Sequence, residues 1–353
     1  MTTIKSGESK SYFRFLFIYL LIEICQSSVY ASTEKVNSGW QFSIDNNLLQ
    51  QKVKDSDYSS GVAFTASGSR AQSGWLNIDP VRSWIFDRLP INITADTLIK
   101  HHSVQYAFVL FTPEEITATQ PILDDRPFAS LLYISNTELT VQASQNKAYR
   151  SSLSFGLLGL KVAGNIQRIM HETIKSDETN GWHNQISDGG EPTAMLTLSV
   201  QQNQSNAKKY QISTHLEANA GYSTDINAGL NWRWGKLNTP WWSFNPSHYE
   251  YMASAAPNVR GIAGSAPEFY IFASANIKYR FYSSLLQGQF RDSVHTLERS
   301  QIEQTLASAM VGVSREFGDN IRFSLFVRGA TPEIKGPNAR NLWWFGLTIN
   351  RAY

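Results

Sequence analysis

Gln167 and His171 stand four residues apart within the stretch 156–186, which reads GLLGLKVAGNIQRIMHETIKSDETNGWHNQI. On a helix that spacing puts both side chains on one face, and this is the one clearly helix-like segment beyond the N-terminus. Histidine can take and return a proton near neutral pH. A carboxamide beside it can orient the ring or a substrate. Ester hydrolysis needs such a base, a positioned water and a group that holds the oxyanion. Amide donors or a metal can fill the last role. No Gly-x-Ser-x-Gly elbow is present, so water activated by His171 is the simpler proposal than a serine nucleophile of that type. Lys161, Arg168 and Lys175 lie close by and could hold phosphate groups; ordinary loop solubility explains them as well. His101, His102, His183, His215, His248 and His295 lack comparable context, although His183 is near the pair in sequence.

Three further segments carry polar groups suited to a site. Ile44-Asp45-Asn46-Asn47 closes the first strand-like run, and the phase of Trp40, Phe42 and Ile44 points Asn46 outward. Asn46-Asn47 reads equally as a turn. Asp57-Tyr58-Ser59-Ser60-Gly61 opens the next run. Asp124-Asp125-Arg126-Pro127 reads best as a turn with a loop-anchoring ion pair, because proline restricts the residue before it. Gly181-Trp182 reads as a helix stop followed by a membrane-interface anchor.

The elements that must position these residues are strands. Period-two alternation recurs along the chain. Phe269, Ile271, Ala273, Ala275, Ile277 and Tyr279 alternate with polar neighbours, as do Ile226 to Trp234, Ile321 to Val327 and Trp343 to Tyr353. The runs fall near 40–45, 59–67, 104–112, 129–135, 151–160, 193–202, 210–220, 225–234, 268–282, 305–315, 321–328 and 341–353. That is about twelve, an even number suited to closure. Each is roughly ten residues long, as a tilted bilayer span requires. Trp232, Trp234 and Trp343 sit near run ends on the apolar face, as in an interfacial girdle, and the chain closes on Tyr353 in the apolar phase. The expected fold is all-β: a closed antiparallel transmembrane barrel with a short helix in an exposed loop. A sheet left open in lipid would strand its edge groups. The stretches 163–192 and 235–267, rich in Asn, Ser, Pro and Gly, both read as loops on the exposed side.

A net charge of +2 gives no electrostatic reason to expect nucleic acid. The one cysteine, Cys25, rules out an internal disulfide. Lys5, Lys10 and Arg14 precede an apolar run and then Val29-Tyr30-Ala31, the pattern of a secretory signal peptide over 1–31. The remainder, 32–353, reads as one barrel domain.

In order and spacing, Asp125-Arg126-Pro127-Phe128-Ala129, Gln167-x-x-x-His171 and Gly181-Trp182-x-x-Gln185 resemble the outer-membrane lipid A 3′-O-deacylase family. Phe111-Thr112-Pro113 and the stretch 221–235 fit too, and the resemblance spans about 39–353. It implies a twelve-stranded outer-membrane barrel and a calcium-dependent esterase that removes an ester-linked acyl chain from lipid A of lipopolysaccharide. His171 then matches the general base and Gln167 its site neighbour. Asn46, the residue after it and Ser59 match the metal and oxyanion region, so Asn46 and Asn47 become the metal candidates and Arg168 and Lys175 the substrate contacts. Two positions depart from the pattern. Asn47 stands where the family has an acidic residue, which removes a charge that calcium favours. Ser59 stands where the family has threonine and keeps the hydroxyl. Alternatives from other classes stay open: a barrel that has lost catalysis and serves as a binding or structural membrane protein, a general outer-membrane phospholipase, or a passive pore.

Overall fold

The computed structural model describes residues 39–47, 57–68, 71, 77–88, 98–174, 178–245 and 266–353. The signal-peptide expectation, Lys175 and His248 lie outside them. Twelve strands close into a barrel in which each pairs with its sequence neighbours and β1 pairs with β12. They are β1 Gly39–Asn46, β2 Asp57–Ser67, β3 Leu98–Thr112, β4 Ala129–Gln142, β5 Lys147–Leu158 and β6 Glu191–Asn206, then β7 Tyr210–Gly221, β8 Ser223–Lys236, β9 Phe269–Ser283, β10 Thr305–Phe317, β11 Ile321–Ala330 and β12 Leu342–Ala352. Two helices matter below: α1, Asp79–Phe86, between β2 and β3, and α2, Val162–Ile174, between β5 and β6.

The alternation resolves as the sequence implies. Phe42, Ile44, Val62, Ile271, Ile277, Leu325 and Trp343 face outward and are exposed. The interior is filled rather than hollow. Tyr58, Phe111, Tyr133, Tyr222, Phe272, Phe326 and Trp344 form the central cluster. Arg126, Arg233 and Arg328 are among the largest fully buried side chains. Closure satisfies every ladder edge, which is what lets a sheet stand in lipid.

Two sequence readings change. β4 runs on to Gln142 and β3 starts back at Leu98. The alternation ended early because Lys100, His102, Asn136, Glu138 and Thr140 put polar side chains on the outer face. The connection after β8 does not leave the barrel on the same side as the connection after β5. β5 runs away from the end that holds both termini and β8 runs back toward it, so their following connections emerge at opposite ends.

Candidate active site

Directly paired residues of an antiparallel ladder point to the same face. Asn46 pairs with Ser60, Ser60 with Leu110 and Leu110 with Ser130. This row lies on the outer wall, in phase with Ile44 and Tyr106, at the end away from the termini. Lower on the same wall Tyr106 is 38% and Val62 41% exposed, whereas Leu110 is 1% and Thr112 0% exposed. Outward-facing side chains this inaccessible must be covered.

The cover is α2 with the turn that follows it. Ala163 of α2 and Trp182 join Leu110 and Phe128 in one cluster, with Phe108 packed against it. Ala163, Gln167 and His171 are all buried, and their i, i+4, i+8 spacing makes them one stripe of the helix. Arg168, Ile169 and Glu172 are on the exposed side, and Arg168 donates to Asn165 Oδ1 at 2.9 Å. Close approach is allowed by glycine. A Cβ on Gly164 would come 2.9 Å from the Trp182 side chain, and one on Gly181 2.3 Å from the Phe128 ring. The turn is stitched to the β3–β4 loop by Ile186 N to Phe128 O (2.9 Å) and Asn184 Nδ2 to Thr119 O (2.8 Å), and to the start of β4 by Ser130 Oγ to Gln185 Oε1 (3.0 Å).

Trp182 is therefore not a membrane-interface anchor. It is buried, and its Nε1 donates to Gln167 Oε1 at 2.6 Å. An indole N–H only donates, so this bond fixes which way the Gln167 amide faces. The sequence named Gln167 but gave no sign that Trp182 holds it. His183, next in the chain, is exposed.

Ser59 is placed by a bulge. The β2–β3 register shifts between Tyr58 and Ser60, leaving Ser59 as the extra residue; bulges re-aim side chains in this way. Its Oγ lies 2.6 Å from Thr112 Oγ1, and both residues are buried. Asp57, just before the bulge, takes φ 64° and is gripped by Arg340 (Nε–Oδ2 2.6 Å, Nη2–Oδ1 3.1 Å). Arg340 also reaches Asp125 Oδ1 at 3.0 Å. Burial opposes the Arg340 charge, but the Asp57 and Asp125 carboxylates outweigh it and hold the guanidinium above its ordinary value. Asp125 accepts from the amides of Glu114 (2.8 Å) and Arg126 (2.7 Å). Arg126 bonds Glu333 at 3.0 Å and sits 4.4 Å over the Phe111 ring. The Asp125-Arg126 motif thus anchors loops, as its turn reading implies.

Asp45 points the other way from Asn46, into the barrel, where it accepts the Tyr58 hydroxyl. Asn47 follows β1 and is 6% exposed. Among the described residues no group of three or more His, Cys, Asp or Glu side chains is placed to hold a metal ion. The oxygens that Asn46, Asn47 and Ser59 bring are neutral amides and a hydroxyl.

The sequence matches the family described as outer membrane protein LpxR over residues 15–351. This chain belongs to the LpxR family. Its fold is similar to that of LpxR from Salmonella typhimurium, with a TM-score of 0.66 at 15% identity, covering 90% of this chain and 100% of that one. Two other outer-membrane structures match more loosely. The β domain of the Bordetella autotransporter BrkA gives a TM-score of 0.41 at 10% identity, covering 90% of this chain and 100% of that one. An outer-membrane channel from Pseudomonas putida F1 gives 0.43 at 8%, covering 91% and 98%. No curated protein matches the chain. The LpxR-family chain is an outer-membrane β-barrel.

Proposed function

We propose that this LpxR-family barrel hydrolyses an ester-linked acyl chain of lipid A, at the 3′-O position by family resemblance. The observation that carries the reading is the placement of the polar set. Asn46 and Ser59 lie on the lipid-facing wall, at the end away from the termini, and α2 covers that wall with its Gln167–His171 stripe. A membrane-embedded amphiphile reaches such a cleft sideways without leaving its leaflet, and the covered wall keeps bulk water scarce.

In the proposed reaction the His171 imidazole takes a proton from water as the oxygen attacks the acyl carbonyl carbon. The Ser59 hydroxyl and the Asn46 amide N–H donate to the oxyanion. Collapse breaks the bond to the sugar oxygen, which takes the proton back from His171. The products are a free fatty acid and a sugar hydroxyl. Gln167, held by Trp182, orients the base or the substrate. Arg168 and Lys175 remain candidates for lipid A phosphates, Arg168 from the exposed side of α2.

Calcium fits this donor set poorly. A resident calcium ion takes six to eight oxygens and gains affinity from carboxylate charge, whereas Asn46, Asn47 and Ser59 offer neutral oxygens. The test is mass spectrometry of lipid A from cells expressing the intact chain or His171→Ala. Loss of one ester-linked chain with the intact protein only is expected. An unchanged lipid A acylation pattern with the intact protein overturns the reading, and acyl release from phospholipid instead would mark a phospholipase. The catalytically silent barrel is favoured by one observation, the neutral Asn47, and the Asn47→Asp variant separates the two readings.

A further inference from the structure

The outer wall carries a second polar area, remote from α2. His102 pairs with Glu138 and Glu138 with Ser151, so all three share a face. Ser151 pairs in turn with Leu198. The same phase holds Tyr106 on β3, Leu132 on β4 and Phe155 on β5, all exposed on the outside. Lys100 and Asn136 extend the polar set. Charged side chains on a lipid-facing wall are destabilising, most so near the bilayer midplane.

Helix α1 covers this area from outside. Arg82, 2% exposed, bonds Glu138 (2.8 Å), Ser151 (2.5 Å) and its own neighbour Asp79 (2.7 Å). Glu138 also meets Lys100 at 3.0 Å and His102 at 3.3 Å. Asn136 donates to Asn77, just before the helix, at 3.1 Å.

The polarity of α1 is inverted. A surface helix of a water-soluble protein turns its apolar stripe inward and its charges outward. Here Arg82 points in, while Val81 is 46% and Trp84 59% exposed. Arg88 stacks 4.1 Å over the Trp84 ring from the exposed side. Water would disfavour that arrangement; lipid favours it. The exposed stripe also continues the wall formed by Tyr106, Leu132 and Phe155, whose surroundings are the bilayer.

We infer that α1 is an interfacial helix seated in the phospholipid leaflet on the side of the termini, with Val81 and Trp84 among the acyl chains and Arg88 at anionic headgroups. Its polar face neutralises the charged stripe on β3–β5, and its apolar face extends the lipid contact of the barrel. Aromatic and arginine side chains are suited to that depth.

The test uses the full chain with Cys25→Ser, refolded in bilayers of phosphatidylethanolamine and phosphatidylglycerol. Single cysteines replace Val81, Trp84 or Asp87 and carry nitroxide labels. Labels at 81 and 84 should collide severalfold more with oxygen and less with a water-soluble nickel chelate than the label at 87. Labels at 81 and 84 open to the chelate would place the face in water. Labels shielded from both reagents would mean that protein covers it. Either outcome overturns the inference. The unsubstituted chain gives an independent reading with a photoactivatable phospholipid. Adducts should map to 79–88 as well as to the strands, and adducts on strands alone would sink the proposal.

Discussion

At the residue scale the site depends on small numbers of directed bonds. Gln167 and His171 were visible because i, i+4 spacing is written in the sequence. The role of Trp182 was not, because the bond from its indole to Gln167 crosses a connection whose path no local pattern encodes. Trp182→Phe keeps the ring packing against Phe128 and removes the donor. A buried hydrogen bond of this kind contributes about 0.5–1.5 kcal/mol. The expected result is a fall of about tenfold in the rate of acyl release with little change in KM, read on purified protein with defined lipid A. Equal rates for the two proteins would show that Gln167 needs no such support. Asn47 sets a second expectation. Acyl release by the native chain should persist in excess chelator, because its neutral oxygens give calcium little charge to bind. Asn47→Asp adds a carboxylate and should make the rate respond to calcium. Native activity abolished by chelator would contradict this. Activity present in Asn47→Asp alone would identify the native chain as a silent barrel.

At the element scale the strands were legible wherever the outer face was apolar, and illegible where α1 covers it. Lys100, His102, Glu138 and Thr140 broke the period-two signal that defines a lipid-facing strand, so β3 and β4 read short. The bulge at Ser59 left no trace in composition, yet it decides where the hydroxyl points. What holds it is a clamp of Arg340 on Asp57 and Asp125. Arg340→Leu leaves both carboxylates facing each other without their cation. Breaking a buried pair costs up to about 3–5 kcal/mol, and partial exposure of Arg340 moves the expectation to the lower part of that range. The measurable outcome is a lower thermal midpoint for the refolded barrel. In an Asp57→Asn background the same substitution should cost less, since contacting residues couple. Costs that simply add would remove Arg340 from its role at the bulge.

At the scale of the whole molecule the two ends do different work, and strand parity assigns them. The end away from the termini carries the α2 cleft. At the other end the chain after β8 turns back into the barrel. Trp241 and Trp242 pack on Leu139, Val141 and Ala148 of the inner wall, and Phe244 joins the central cluster. His101 stacks on Trp242 at 4.6 Å, and Gln201 Nε2 donates to Phe244 O at 2.9 Å. Reading 235–267 as another exposed-side loop missed this, because Asn, Ser, Pro and Gly signal a connection and not the direction it takes. Glu268 latches the plug. It is buried and accepts from the amides of Asn238 (2.5 Å) and Thr239 (2.7 Å) and from Arg322 Nη2 (2.6 Å). Burial works against its charge, but Arg322, Arg233 and the two amides outweigh burial and hold its carboxyl below the usual glutamate range. A carboxyl with a depressed folded pKa contributes stability that is fully present above its unfolded pKa, roughly 4.3, and is lost as pH falls through the folded value. Glu268→Gln should therefore lower the thermal midpoint at neutral pH. Acidification below pH ~4 should then narrow the gap between variant and native barrel, as the native latch protonates. A gap that stays constant through that window would show that the Glu268 charge does not hold the plug.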